Sequence, residues 1–265
     1  LVIGETIIDQ YVFCEALGKS GKEPVLVLRD LETQEYLGGS LAIARHLSSF
    51  CDNVSVLTFL GENNDYKSFI ENNMEENIAL NFFNKSNSPT IVKRRFVDNI
   101  DRKKVLGVYS INDELLDENE EDKFIESFDK LSKDHDLVII SDYGHGIITP
   151  KIAKHISNSD KFVSLNAQIN AANIGTHNIR KYHDVNCLII NESELRHELR
   201  QRDGNVEEMA VTLKNMVNSK YIAVTQGREG AFLINGGKAK QRSPGFAAQV
   251  IDKIGSGDAL LAILS

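Results

Sequence analysis

The feature that most restricts the fold is a series of short apolar runs separated by amphipathic stretches. Leu137-Val138-Ile139-Ile140, Phe162 to Leu165, Cys187 to Ile190 and Tyr221 to Thr225 are dominated by apolar residues. They offer water no consistent face, so they read as strands buried on both sides. Val54 to Leu60 alternates loosely and is rich in β-branched and apolar residues, so it reads as another strand. Between the runs, Val206, Met209, Ala210, Leu213, Met216 and Val217 follow the i, i+3, i+4, i+7 rhythm of a helix. Phe124, Phe128 and Leu131 do the same inside the acidic stretch Asp113 to Asp136, which reads as the solvated face of a helix rather than an acidic tail. Thr149-Pro150 reads as an N-cap followed by proline at the first helical position. Strands alternating with helices require crossover connections. The expected class is therefore α/β: a doubly wound, mainly parallel sheet with helices on both faces.

A length of 265 residues suits one such domain over residues 1–265. Two segments break the rhythm. Val25 to Tyr36 and Ile91 to Tyr109 are β-rich with little helical period. They read as a small β lid outside the main sheet, covering about residues 10–37 and 90–110; edge strands of the main sheet are the alternative. No internal repeat or low-complexity linker interrupts the chain.

Charge excludes some functions. At 26% charged residues and a net charge of −8, the chain lacks the basic stripe that a nucleic-acid partner demands. No apolar run is long enough to span a bilayer, and Leu1-Val2-Ile3 follows no basic segment, so a cytoplasmic location without a membrane partner is expected. Cys14, Cys51 and Cys187 are odd in number and form no C-x-x-C pair, which favours free thiols. The seven histidines include no H-E-x-x-H. The sequence starts without Met and stops at Ser265 in what reads as a helix, so a C-terminally incomplete domain is expected.

Chemistry concentrates near the C-terminus. Gly255-Ser256-Gly257-Asp258 precedes an apolar helical stretch. Glycines let backbone N–H groups converge on an anion at a helix N-terminus, and Asp258 stands beside them as a base. That pairing of a base with a charge stabiliser suits phosphoryl transfer. A dinucleotide fingerprint would need a third glycine where Leu260 stands. Gly18-Lys19-Ser20 looks like the end of a P-loop, but Phe13 occupies the position that motif reserves for glycine.

Other segments line up in order. They are Gly4-Glu5-Thr6-Ile7-Ile8-Asp9, Gly38-Gly39-Ser40, Asn191-Glu192-Ser193-Glu194, Val224-Thr225-Gln226-Gly227-Arg228-Glu229-Gly230 and Asp252 through Asp258. Together they resemble the G-[DE]-x-x-x-D, G-G, N-x-x-E, V-T-x-G-x-x-G and D-T-x-G-A-G-D motifs of ribokinase-like (PfkB-type) carbohydrate kinases. Gly4-Glu5-Thr6 with Asp9-Gln10-Tyr11, Glu23-Pro24-Val25 and Ser141-Asp142-Tyr143-Gly144-His145-Gly146 further resemble the heptose-7-phosphate kinase branch.

The resemblance implies ATP and Mg²⁺ as cofactors and a sugar or sugar phosphate as acceptor. Asp258 would be the catalytic base, with the N–H groups of Gly255, Ser256 and Gly257 around the transferred phosphoryl group. Asp9, Gly38, Gly39 and Asp142 would bind the sugar. Asn191 and Glu194 would act on Mg²⁺ through water, and Thr225, Gly227 and Gly230 would face the nucleotide. It also implies a homodimer formed lid to lid and, in that branch, fusion to a nucleotidyltransferase domain outside this chain. The sequence departs from the family at Ser256 for Ala, at Lys253-Ile254, at Asn166-Ala167-Gln168 for D-P-K, and at His145 for Lys. The second of these bears on monovalent-cation activation. The lost cations also raise an alternative, a catalytically weak sugar- or nucleotide-binding domain of a larger nucleotide-sugar synthesis protein.

Single residues carry plainer readings. Asp9 and Asp142 follow strands, where aspartate often caps a turn. Asn191 and Glu194 make an ordinary capping box, and Gly227 and Gly230 suit a hairpin turn. Lys93-Arg94-Arg95 and Arg102-Lys103-Lys104 stand out in an acidic chain. On a strand, Lys93 and Arg95 share a face and suit an acceptor phosphate, whereas charge on an edge strand is the alternative.

Overall fold

The computed structural model describes residues 1–176, 179–236, 239–246 and 255–265. Its main sheet joins β1 (Val2–Gly4), β4 (Val54–Gly61), β5 (Ile78–Lys85), β8 (Leu137–Asp142), β9 (Phe162–Ala167), β10 (Cys187–Asn191), β11 (Tyr221–Thr225), β12 (Ala231–Asn235) and β13 (Ala239–Ser243). They run in the order β13-β12-β11-β10-β9-β8-β1-β4-β5. All pairs from β11 to β5 are parallel, and the β11-β12 and β12-β13 pairs are antiparallel.

Alternation within each apolar run explains why both sheet faces are covered. Val138 and Ile140, Leu188 and Ile190, and Ile222 and Val224 enter one core cluster, with Phe124 and Phe128 of α3 (Glu118–Leu131), Ile152 of α4 (Pro150–Ser157), Leu195 of α5 (Glu192–Leu199) and Leu213 of α6 (Val206–Met216). Ile139, Ile189 and Ala223 point the other way. They meet Leu41 and Ile43 of α1 (Ser40–Leu47), Ile70 of α2 (Lys67–Asn73) and Leu261 of α7 (Ser256–Leu264). The helix ends obey local chemistry: Thr149 caps α4 with Pro150 behind it, and Asp117 forms a capping box with Glu120 at α3.

A second sheet holds β2 (Thr6–Lys19), β3 (Leu26–Gly39), β6 (Ile91–Asp98) and β7 (Lys104–Ser110) in the order β3-β2-β6-β7. The segments expected to stand apart from the main sheet do so, and the edge-strand alternative falls. Only Glu5 separates β1 from β2, and β3 runs straight into α1.

From β1 the chain builds β4 and β5 on one side, then crosses to β8 and onward on the other. The strand order therefore reverses between β1 and β8, the place where open parallel sheets present a crevice at their carboxyl ends.

Candidate active site

Glu5 sits at that reversal, fully buried. Its carboxylate accepts the backbone N–H of Tyr143 at 2.9 Å and that of His145 at 3.0 Å, tying the end of β1 to the loop after β8. Burial, then the neighbouring Asp142 carboxylate, pushes the Glu5 carboxyl upward. The Glu5 carbonyl accepts Ser40 N–H at 3.0 Å, so the start of α1 is fixed to the same point.

That contact accounts for the paired glycines. At Gly39, φ is 61°, and a Cβ would strike the Glu5 carbonyl. At Gly38, a Cβ would strike a carboxylate oxygen of Asp9, so the side chain is missing where Asp9 must lie.

Asp9 pairs with Arg95 on the face of the second sheet that looks toward α7. Tyr11 lies 5.6 Å from the Arg95 guanidinium, on the same face. Lys93 is only 7% exposed, yet among the described residues no hydrogen bond reaches its ammonium group. It lies 5.1 Å from the ring of Tyr143 and 5.9 Å from that of Tyr109, and burial lowers its pKa. Arg94 turns to the opposite face and donates to Gln10. Arg102 covers Phe13 at 4.9 Å and Lys104 approaches Tyr11 at 5.9 Å, whereas Lys103 stays exposed beside Asp101.

Asp258 opens α7 opposite Asp9. Asp9, Tyr11, Phe13, Tyr36, Gly38, Gly255 and Asp258 line one cavity of about 390 Å³. The Asp258 carboxylate oxygen Oδ1 accepts the Tyr143 hydroxyl at 2.7 Å and the Gln168 side-chain amide at 3.2 Å. Burial raises the Asp258 carboxyl, and those two donors counter it.

At the start of α5, Asn191 and Glu194 form a complete capping box, with bonds of 2.8 and 3.0 Å. Burial pushes the Glu194 carboxyl up to about 7. Gly227 begins the turn between β11 and β12, with open space where a side chain would stand. Gly230 ends it, and a Cβ there would strike the Ser243 carbonyl. Thr225 ends β11 beside Asn191, its register partner.

The model of the pfkB family of carbohydrate kinases matches residues 1–264. The chain belongs to this family. Among curated proteins it is 28% identical over its whole length to Bifunctional protein HldE of Campylobacter jejuni and 24% identical to that of Nitratiruptor. The chain spans about half the length of these relatives, 55% in both cases. Among solved structures, Escherichia coli phosphofructokinase-2 in complex with fructose-6-phosphate has a TM-score of 0.71 at 15% identity, covering 99% of this chain and 84% of that one. Arabidopsis thaliana ribokinase complexed with ribose and ATP gives 0.69 at 17%, covering 98% and 82%. These likenesses carry the ribokinase-like α/β fold.

Within this pfkB domain the residues singled out from the sequence divide into groups. Asp9, Gly38, Gly255 and Asp258 share the cavity, and Lys93 and Arg95 are on the sheet face above it. Asp142 does not join them. It is 0% exposed, and its carboxylate takes Gly144 N–H at 2.9 Å, the Tyr182 hydroxyl at 2.6 Å and the Lys181 ammonium at 2.6 Å. These contacts brace the loop after β8. Asp252, Lys253 and Ile254 lie outside the described residues. His145, standing where the family often has Lys, is fully buried with Nδ1 2.6 Å from Asp113. Asn166 donates to the Ile189 carbonyl at 2.8 Å and so joins two strands. The sequence reading passed over Glu5, Tyr143 and the aromatic lining as site residues. The Ser-Asp-Tyr motif contained the signal for Tyr143.

Proposed function

We propose that the domain is an ATP-dependent kinase acting on a sugar phosphate, with a heptose-7-phosphate-like acceptor as the best fit. One observation carries this reading: Asp9 from the N-terminal motif and Asp258 from the C-terminal one line the same aromatic cavity. Asp9 and the neighbouring aromatic rings suit sugar hydroxyls and the apolar face of a sugar ring. Lys93 beside Tyr143 and Arg95 beside Tyr11 supply positive charge near this cavity, which would suit an acceptor that already bears a phosphate. The bifunctional naming of the HldE relatives supports fusion to a second domain, such as a nucleotidyltransferase, outside this chain.

The residues present fit a nucleotide. Gly255, Gly257 and Gly227 leave open space where side chains would crowd a phosphate chain. Bound ATP would supply the transferable phosphoryl group. Asp258 takes the proton of the attacking hydroxyl, and the backbone N–H groups from Gly255 to Asp258 face the charge that develops. Among the described residues no group of three or more His, Cys, Asp or Glu gathers as a metal cage. That suits Mg²⁺ held by phosphates and water, with Asn191 and Glu194 orienting the water. Monovalent-cation dependence rests on the neighbourhood of Lys253-Ile254, outside the described residues.

A second reading, a weak binding domain within a larger synthesis protein, draws on Gln168, an uncharged residue where the family carries Lys. Phosphotransfer assayed over a panel of sugars and sugar phosphates separates the two. Turnover on a phosphorylated sugar is expected; no turnover on any acceptor, with ATP still bound, would select the weak module.

We also propose a homodimer through the second sheet. Leu26, Leu31, Leu106 and Val108 are exposed there, and β3 and β7 have free edges in the sheet order. Sedimentation at micromolar concentration should give a dimer, and a monomer would refute it. No helix among the described residues is long and apolar enough to cross a membrane.

A further inference from the structure

We infer that Tyr143, Gln168 and Asn173 form a clamp that fixes Oδ1 of Asp258 and so presents the other carboxylate oxygen to the acceptor hydroxyl. This rests on the reading of Asp258 as the base. The Tyr143 hydroxyl and the Gln168 amide converge on the same oxygen from different loops, those after β8 and β9. Both are neutral donors. Gln168 stands where related kinases place a lysine, so the clamp belongs to this chain's own residues rather than to the family motif.

The donors are themselves immobilised. The Tyr143 backbone N–H is held by Glu5, and its carbonyl accepts the side-chain amides of Asn170 at 2.7 Å and Asn173 at 2.9 Å. The Asn173 amide also donates to the Gln168 carbonyl at 2.9 Å, while Gln168 N–H donates to the Asp142 carbonyl at 2.8 Å. One buried side chain, Asn173 at 2% exposed, thus staples together the two loops that carry the clamp. A carboxylate held at one oxygen by two donors loses rotational freedom, and its remaining oxygen keeps its basicity for the substrate. Tyr143, Gln168 and Asn173 are positioning residues.

Two donors on the ionised form favour ionisation, so removing one should move the acid limb of kcat/KM to higher pH. Among the described residues, the charged and titratable groups facing Asp258 besides the clamp's own Tyr143 are Asp9 from β2, His46 from α1, Lys93 from β6 and Glu194 from α5. None is altered by changing a neutral donor, so the shift reports the clamp.

The test uses Tyr143→Phe, Gln168→Ala and Asn173→Leu in the complete protein, with kcat and KM measured from pH 5.5 to 9 (about the range over which a carboxyl base and its neighbours titrate). Each variant should lower kcat by roughly tenfold, the scale of one charge-assisted hydrogen bond, and leave acceptor KM nearly unchanged. The loss should be greater at low pH than at high pH. Gln168→Lys should bring the acid limb back to its original pH or below, because it returns a donor to Oδ1 together with a positive charge. Gln168 is only half-buried and so provides a variant that keeps the fold if Tyr143→Phe or Asn173→Leu does not. An unmoved acid limb in a folded Gln168→Ala variant, or a rise in KM with kcat intact, overturns the clamp. If Asp258→Asn keeps normal turnover, the base assignment has failed instead; if Asp258→Asn is inactive and the acid limb stays fixed, only the clamp has failed.

Discussion

Asp258→Asn should abolish phosphotransfer while leaving the fold and ATP binding in place. General-base catalysis contributes about 10²- to 10⁴-fold, and an amide cannot take the proton. The structure explains why the loss should be confined to chemistry. The carbonyl oxygen of the substituted amide could still accept the Tyr143 hydroxyl and the Gln168 amide, the two donors that now meet Oδ1. Burial already disfavours the ionised Asp258, so removing its charge relieves a cost in the folded state. Turnover, a thermal melt and ATP titration by calorimetry check the three parts. Near-normal turnover would show that the proton goes elsewhere.

Replacing both Lys93 and Arg95 by Ala should raise KM for a phosphorylated acceptor by roughly 100-fold or more, since each charge-assisted contact is worth about 1.5–3 kcal/mol. The unphosphorylated sugar should suffer far less. The two positions are not equivalent. Arg95 already pairs with Asp9, so its loss should loosen the residue proposed to hold hydroxyls and touch both acceptors. Lys93 has no such hydrogen-bonded partner among the described residues, and its ammonium group is packed near Tyr143 and Tyr109. Lys93→Met keeps the buried stem and removes only the charge, so it isolates the phosphate contact. Equal effects on both acceptors, or none, return the acceptor to a plain sugar.

The main sheet was legible because burial on both faces leaves an apolar signature in each central strand. The apolar runs read from the sequence lie within β8, β10 and β11, and α6 follows its apolar rhythm to within a residue. β5 was not read. It pairs on one side only and is largely half-exposed, and Asn81 and Asn84 interrupt its pattern. The site was legible where a residue's role is local: glycines against a backbone, an acid at a helix start. The clamp on Asp258 was hidden because Tyr143 and Gln168 reach it from 115 and 90 residues away. The partners of Asp142 were hidden for the same reason, since Lys181 and Tyr182 arrive from an irregular segment with no periodicity to announce them.

Two junctions of the second sheet leave no slack, whereas the other two run through residues 86–90 into β6 and 111–117 out of β7. β1 passes into β2 through Glu5 alone, and β3 passes into α1 at Gly39, whose neighbour Ser40 is bonded back to Glu5. At the β2-β3 side, rocking of this sheet over the cavity would be absorbed by a few dihedral angles along one line through Glu5 and Gly39. The sheet would act as a stiff lever with its fulcrum beside the acceptor. Its far ends at Lys19 and Leu26 would sweep widely while Asp9, only four positions beyond Glu5, would barely move. At these two short junctions, shutting such a lever would order no loose loop. The chain entropy that a flexible flap gives up at each catalytic cycle, about 1–2 kcal/mol per residue fixed, would at Glu5 and Gly39 be spent once, during folding.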